Sequence, residues 1–282
     1  TNPKDLPPLQ VKIQQFTYAD KNFGRVYLAT HPLTEGLGLE RLALKAPGYG
    51  IQAQGSWIKS RFGAEHANLT GKLKINNFAA MLKAWGLPPN IESEAGNANF
   101  QLGWQGSLYR PDWSSLEGKL SLQIQEGRIL NIGSQTRMDF GRLLSLLRVQ
   151  SLSRRLRLDF SDLVDDGLNF DAISGDFSLH KGQAVTNNLI LRGPILHLTL
   201  KGRIDLVNQT YDLQASVTLL LTSSLPLIAT LAGGPVAGAV TWVANKLFNP
   251  LVSKLTSDLY TVTGPWKKPI IQPLKAAVSN NA

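Results

Sequence analysis

The side chains able to do acid–base, nucleophilic or metal chemistry are few in this chain, and they are scattered. Its four histidines, His31, His66, His180 and His197, stand far apart, and none belongs to an H-E-x-x-H pair. No G-x-S-x-G elbow and no phosphate-binding Walker loop occurs. Asp159, Asp162, Asp165, Asp166, Asp171 and Asp176 crowd together, but without the Gly and terminal Glu of a calcium loop. Carboxylates spaced this way suit helix caps and turns better. With no Cys, disulfides, thiolate metal sites and Cys nucleophiles are excluded. Asn68 and Asn208 each head an N-x-T triplet, a pattern too short to carry weight alone. The expectation is therefore a protein that is not an enzyme and has neither cofactor nor metal.

Arginine is the one polar type with a pattern. Arg137, Arg142, Arg148, Arg154, Arg155 and Arg157 flank or stud one amphipathic stretch. A forked guanidinium suits phosphate. The net charge of +9, from 29 basic and 20 acidic residues, favours anionic partners. Nucleic acid would call for interleaved aromatics or a recognition helix, and neither is present. Two readings remain for Arg142, Arg148, Arg154 and Arg155: contact with lipid headgroups, or the solvated flank of a helix.

The chemistry the chain repeats is apolar. Leu69–Ile75, Leu116–Leu122, Ile173–Leu179 and Leu200–Leu206 each read apolar, polar, Gly, charged, apolar, polar, apolar. Shorter relatives surround Gly55, Gly106 and Gly264. Period two gives a strand with one apolar and one polar face. The Gly falls in the apolar register, where it marks a bend, a bulge or a close approach. Repetition of this unit points to an extended self-similar sheet rather than one enzyme pocket.

Stepping outward to the elements, residues 1–8 carry three Pro and read as an irregular entry. Strands follow at Leu9/Val11/Ile13, Val26/Leu28, Leu42/Leu44 and Tyr49–Trp57. Residues 78–86 predict a short helix closed by Gly86 and stopped by Pro88 and Pro89. A second helix is expected over 139–150, with Asp139 as N-cap and Phe140, Leu143, Leu144 and Leu147 on one face. Short connections imply antiparallel neighbours.

About a dozen strands with few helices must hide their apolar faces. A second sheet could do so, giving a sandwich or barrel. The alternative is mainly β: one long curved antiparallel sheet whose apolar side forms an open groove. Charged residues make up only 17% of the chain, below the usual quarter, and this favours the groove. Its expected lining is Leu73, Ile75, Leu120, Leu122, Ile124, Phe177, Leu189, Leu191, Leu196, Leu198, Leu200, Leu213, Ala215 and Val217.

From Leu213 to Asn245 there is no Asp, Glu, Lys or Arg. Gly233-Gly234-Pro235 should break a single spanning helix, so two short helices are expected, about 225–232 and 236–257. Trp242 and Phe248 with Lys246 and Lys254 resemble a set that anchors at a membrane interface. The competing reading is a buried cap on the end of the sheet. The division is thus 1–222, the strand-rich groove; 223–258, an apolar helical hairpin; and 259–282, a terminal strand and tail.

Several strings together resemble one family. They are Phe140-Gly-Arg-Leu-Leu-Ser-Leu-Leu, Arg154-Arg-Leu-Arg-Leu-Asp-Phe, Phe170-Asp-Ala-Ile-Ser-Gly-Asp-Phe and Gly202-Arg-Ile-Asp-Leu-Val-Asn-Gln-Thr-Tyr-Asp. Ser224-Leu-Pro-Leu, Ala232-Gly-Gly-Pro-Val-Ala-Gly and Tyr260-Thr-Val-Thr-Gly-Pro-Trp join them. Their resemblance is to the C-terminal region of YhdP-type proteins, members of the AsmA-like group with TamB as a relative. The resemblance implies a β-groove that carries phospholipid across the periplasm of Gram-negative bacteria. It also implies an inner-membrane anchor upstream of Thr1 and an end that reaches the outer membrane or an envelope protein. A different class of function stays open: a structural or docking domain that binds an envelope partner or the outer membrane through 225–257.

The energetics suit a groove. Burying a methylene is worth roughly 0.8 kcal/mol, so exposing a diacyl lipid with about 30 of them costs on the order of 25 kcal/mol. Passage through water needs a continuous apolar lining.

Overall fold

The computed structural model describes residues 2–18, 21–130, 167–194, 196–220, 258–266 and 268–274. The expected helix over 139–150 and the hairpin over 223–257 lie outside the described residues.

Alternation produces strands wherever the sequence carries it. They are β1 (Gln10–Tyr18), β2 (Lys21–Leu33), β3 (Gly36–Ala46), β4 (Tyr49–Lys59), β5 (Glu65–Ile75), β6 (Ile91–Ser93) and β7 (Gly96–Gln105). Then come β8 (Glu117–Ile129), β9 (Leu168–His180), β10 (Gln183–Arg192), β11 (Leu196–Asp205), β12 (Thr210–Leu219), β13 (Asp258–Pro265) and β14 (Ile270–Pro273). All belong to one 14-stranded sheet. Each strand pairs antiparallel with the next, and β6 continues the line of β7 against β8. The strands at the two ends, β1 and β14, do not pair with each other, so the sheet is open. A closed barrel is excluded, and among the described residues there is no second sheet to make a sandwich.

The four repeats fall where the alternation places them, in β5, β8, β9 and β11, and their glycines sit in the apolar register. Gly118 and Gly202 show why no side chain is accommodated there. Their φ values are +132° and +130°, a region L residues rarely adopt. A Cβ at Gly118 would run into the Gln101 carbonyl, and one at Gly202 into the Asp212 carbonyl. The repeat Gly therefore admits the backbone of the adjacent strand. Gly106 is different: it lies in the turn after β7, not within a strand. Bulges add local bending, among them Glu40–Arg41 in β3 and Asn187–Asn188 in β10, with further register shifts in β1. The one in β10 is pinned by Asn188, whose Nδ2 donates to Asp176 Oδ2 at 2.7 Å and whose Oδ1 accepts from the Asp176 N–H at 2.9 Å.

The short helix α1 (Phe78–Ala84) starts at Asn77, whose Oδ1 accepts the Ala80 N–H at 2.8 Å. Trp85 caps it and Gly86 follows at φ +74°, the left-handed exit expected of a helix-ending Gly. The first residues are not irregular throughout: Pro3–Asp5 forms a 3₁₀ turn with Pro3 buried.

Two apolar clusters close the two ends of the strands. Near α1, Phe78 and Met81 belong to one cluster with Tyr49, Ile75, Ile124, Leu168 and Phe170. At the opposite end Trp57, Ala67, Trp104, Leu116 and Leu179 form the other, with Leu6 and Leu108 packed against it. There Trp104 Nε1 donates to the Ser107 carbonyl at 2.9 Å and Trp57 Nε1 donates to Glu65 at 3.1 Å, so both indoles keep a polar partner.

Candidate apolar binding surface

Register carries the apolar side chains across the sheet in rows. Ile75, Gly96, Ile124, Ile173, Leu191, Leu198 and Val217 follow one another from β5 to β12. Beside them run Ile51, Leu73, Ala98 and Leu122. Phe100, Leu120 and Phe177 make a third row through mid-strand. All 14 residues expected to line a groove lie on this one face. The other face is mainly polar: in β4, Gln52 and Gln54 are exposed whereas Tyr49, Ala53 and Trp57 are buried.

Burial divides the expected lining into two groups. Ile75, Ile124, Leu191, Leu196, Leu198, Leu213, Ala215 and Val217 are buried and act as packing. Leu73, Leu120, Leu122, Phe177, Leu189 and Leu200 are half-buried, which leaves part of each side chain reachable from outside. Leu42, Leu44, Ile51, Leu69, Leu102 and Phe100 share that face and that exposure, and the expected lining did not include them. Their signal was in the sequence, since β3, β4, β5 and β7 alternate as clearly as the later strands. The residues expected to meet headgroups or membrane, Arg142, Arg148, Arg154, Arg155, Trp242, Lys246 and Phe248, all lie outside the described residues.

Among the described residues polar chemistry does not converge on any point. Among the described residues no three His, Asp or Glu side chains are placed to hold a metal ion. His66, His180 and His197 are exposed, and the His31 ring fills the space left by Gly38. The carboxylates with displaced pKa values serve local structure. Asn188 and then Ser121 hold the Asp176 carboxyl below the usual range, and the Asn208 backbone N–H and side chain do the same for Asp205 in the β11–β12 turn. Glu35 is lowered by its hydrogen bond and charge pairing with Lys4. Burial pushes the Tyr49 and Tyr211 phenols upward. Among the described residues no helix is long and apolar enough to cross a membrane.

Among the described residues, an open antiparallel meander with one apolar face and no convergent polar site defines a single sheet whose distinctive chemistry is apolar surface. The YhdP protein family model matches residues 1–271, and the chain belongs to that family. It is 28% identical over 279 residues to the intermembrane phospholipid transporter YhdP of Escherichia coli strain K12. That match covers 96% of this chain but spans only 21% of the relative's length. No solved structure matches.

Proposed function

We propose that this chain is a lipid-conducting segment of a longer envelope protein. Phospholipid acyl chains lie along the apolar face of the sheet, and headgroups stay at its open side. The segment forms part of a bridge through the periplasm between inner and outer membranes, anchored to the inner membrane by an upstream region. It acts by shielding apolar chains from water, without catalysis or a cofactor.

One observation carries this reading: the apolar rows run from strand to strand, interrupted by glycine, while their middle side chains stay half-buried. A packed core would bury Leu73, Leu120, Leu122 and Phe177 as fully as Ile75 or Ile124. A side chain held half in water costs apolar hydration. An acyl chain laid over these positions removes that cost at roughly 0.8 kcal/mol per methylene covered. The transport named for the E. coli relative supports phospholipid as the cargo.

Adjacent residues on opposite faces give the test. A photo-reactive amino acid at Leu122 should capture lipid in Gram-negative cells, and the same residue at Ser121 should capture none. Equal capture at both positions, or none at Leu122, would refute the assignment.

A further inference from the structure

The polar face is unevenly charged. On β1–β5 it bears Lys12, Arg25, Arg41, Lys45, Lys72 and Lys74, all exposed, and one carboxylate, Glu40. Among the described residues these six cations form no ion pair. Elsewhere the chain does pair its charges, as in Lys59–Glu65, Arg128–Glu92 and Arg203–Asp212. Arg25 and Lys45 stand directly opposite in the β2–β3 ladder, and Lys74 follows Lys45 across Gly50. Like charges opposite each other destabilise a sheet, so folding alone gives no reason for this arrangement. Lys12 Nζ and the Arg41 guanidinium lie 5.9 and 5.6 Å from the centroid of the Tyr27 ring, which orders two of the cations.

Beside the cluster the outward side chains in mid-strand are mostly amides and hydroxyls, with Gln52, Gln54, Thr70, Asn99 and Gln101 in succession beside Lys72.

We propose that this outward face binds an acidic polysaccharide, a hydroxyl-rich chain bearing carboxylates at intervals. The unpaired cations attract the carboxylates. The amides and Thr70 each offer both donors and acceptors for sugar hydroxyls. Within the patch the apolar outward groups are Ala43 and the half-buried Tyr27 ring, with Ala29 buried, so charge and hydrogen bonding dominate the surface over apolar insertion. The site lies on the face opposite the apolar rows, so it stands or falls independently of lipid conduction.

The test is calorimetric titration of oligogalacturonate into the full chain, with neutral dextran as control. Vesicles of equal parts phosphatidylcholine and phosphatidylglycerol form a second arm. Oligogalacturonate should bind, dextran and vesicles should not, and affinity should fall as salt is raised. R25Q/K45Q should weaken binding by about tenfold or more through loss of charge-assisted hydrogen bonds, without lowering the melting temperature. K72Q/K74Q supplies a second reading if the first variant misfolds. Absence of oligogalacturonate binding at low salt, unchanged affinity in folded variants, or tighter binding to the vesicles would overturn the proposal, the last by assigning the patch to a membrane.

Discussion

Gly118→Ala isolates the physical reason for the repeated glycine. At φ +132° an L residue is strained by about 1–3 kcal/mol. The new methyl also collides with the Gln101 carbonyl and lies 3.1 Å from the Leu102 Cα, so β7 and β8 must part locally. Losing one or two ladder bonds adds about 1 kcal/mol each. The sum is about 2–5 kcal/mol. Gly63→Ala is the control: φ is +85°, but nothing lies within 4 Å of the added methyl. It should cost about 1–2 kcal/mol from the backbone alone. The midpoints of the two ranges differ by about 2 kcal/mol, so at about 2–4 °C per kcal/mol G118A should melt roughly 4–8 °C below G63A. Circular dichroism against temperature reads the difference, and hydrogen exchange should show faster opening across Leu102 and Gly118. Equal melting of the two variants would mean that strand approach does not demand glycine, and the account of the repeat would fail.

Three further outcomes are expected. Asn77→Ala removes the N-cap of α1 and should cost about 1 kcal/mol in urea unfolding, with exchange rising first in Phe78–Ala84. Asn188→Ala removes the clamp on Asp176; because that carboxyl is depressed in the folded state, its contribution is present above the unfolded pKa of about 3.9 and lost as pH falls through the folded value. The gap in stability between wild type and N188A should therefore be widest at neutral pH and narrow in acid, where only the bond to the Asp176 N–H still separates them, and a constant gap across an acid titration would contradict this. Leu122→Asp should remove lipid seen by native mass spectrometry of the folded chain, whereas Ser121→Asp should leave it; loss in both or neither would count against the apolar face as the carrier.

The two faces offer different chemistry. The inward rows offer area rather than a point of chemistry, and area suits a cargo held by burial alone. The outward face offers hydrogen bonds and charge on rigid strands. Neither needs the other, which is why Leu122 and Ser121, adjacent in sequence, make a sharp experimental pair.

Much of this was readable from the chain because period two is a local rule. Leu69–Ile75 and Leu200–Leu206 alternate, so their faces are fixed as soon as they become strands. Asn77 and Gly86 mark the ends of α1 because capping depends on residues a turn away. Neighbour order followed from short connections where these permit only antiparallel return, but the β8–β9 and β12–β13 pairings join strands far apart in the chain and were not legible this way. Local pattern could not say which apolar side chains would be packed and which would remain reachable. Leu198 and Leu200 alternate identically, yet Leu198 is buried and Leu200 is not. Exposure is set by what other strands, turns and α1 bring over each position, and those contacts join residues distant in sequence. The same holds for the unpaired cations: Arg25 and Lys45 are unremarkable until the β2–β3 register sets them face to face. The sequence determined the faces; the tertiary structure decided what each face leaves open.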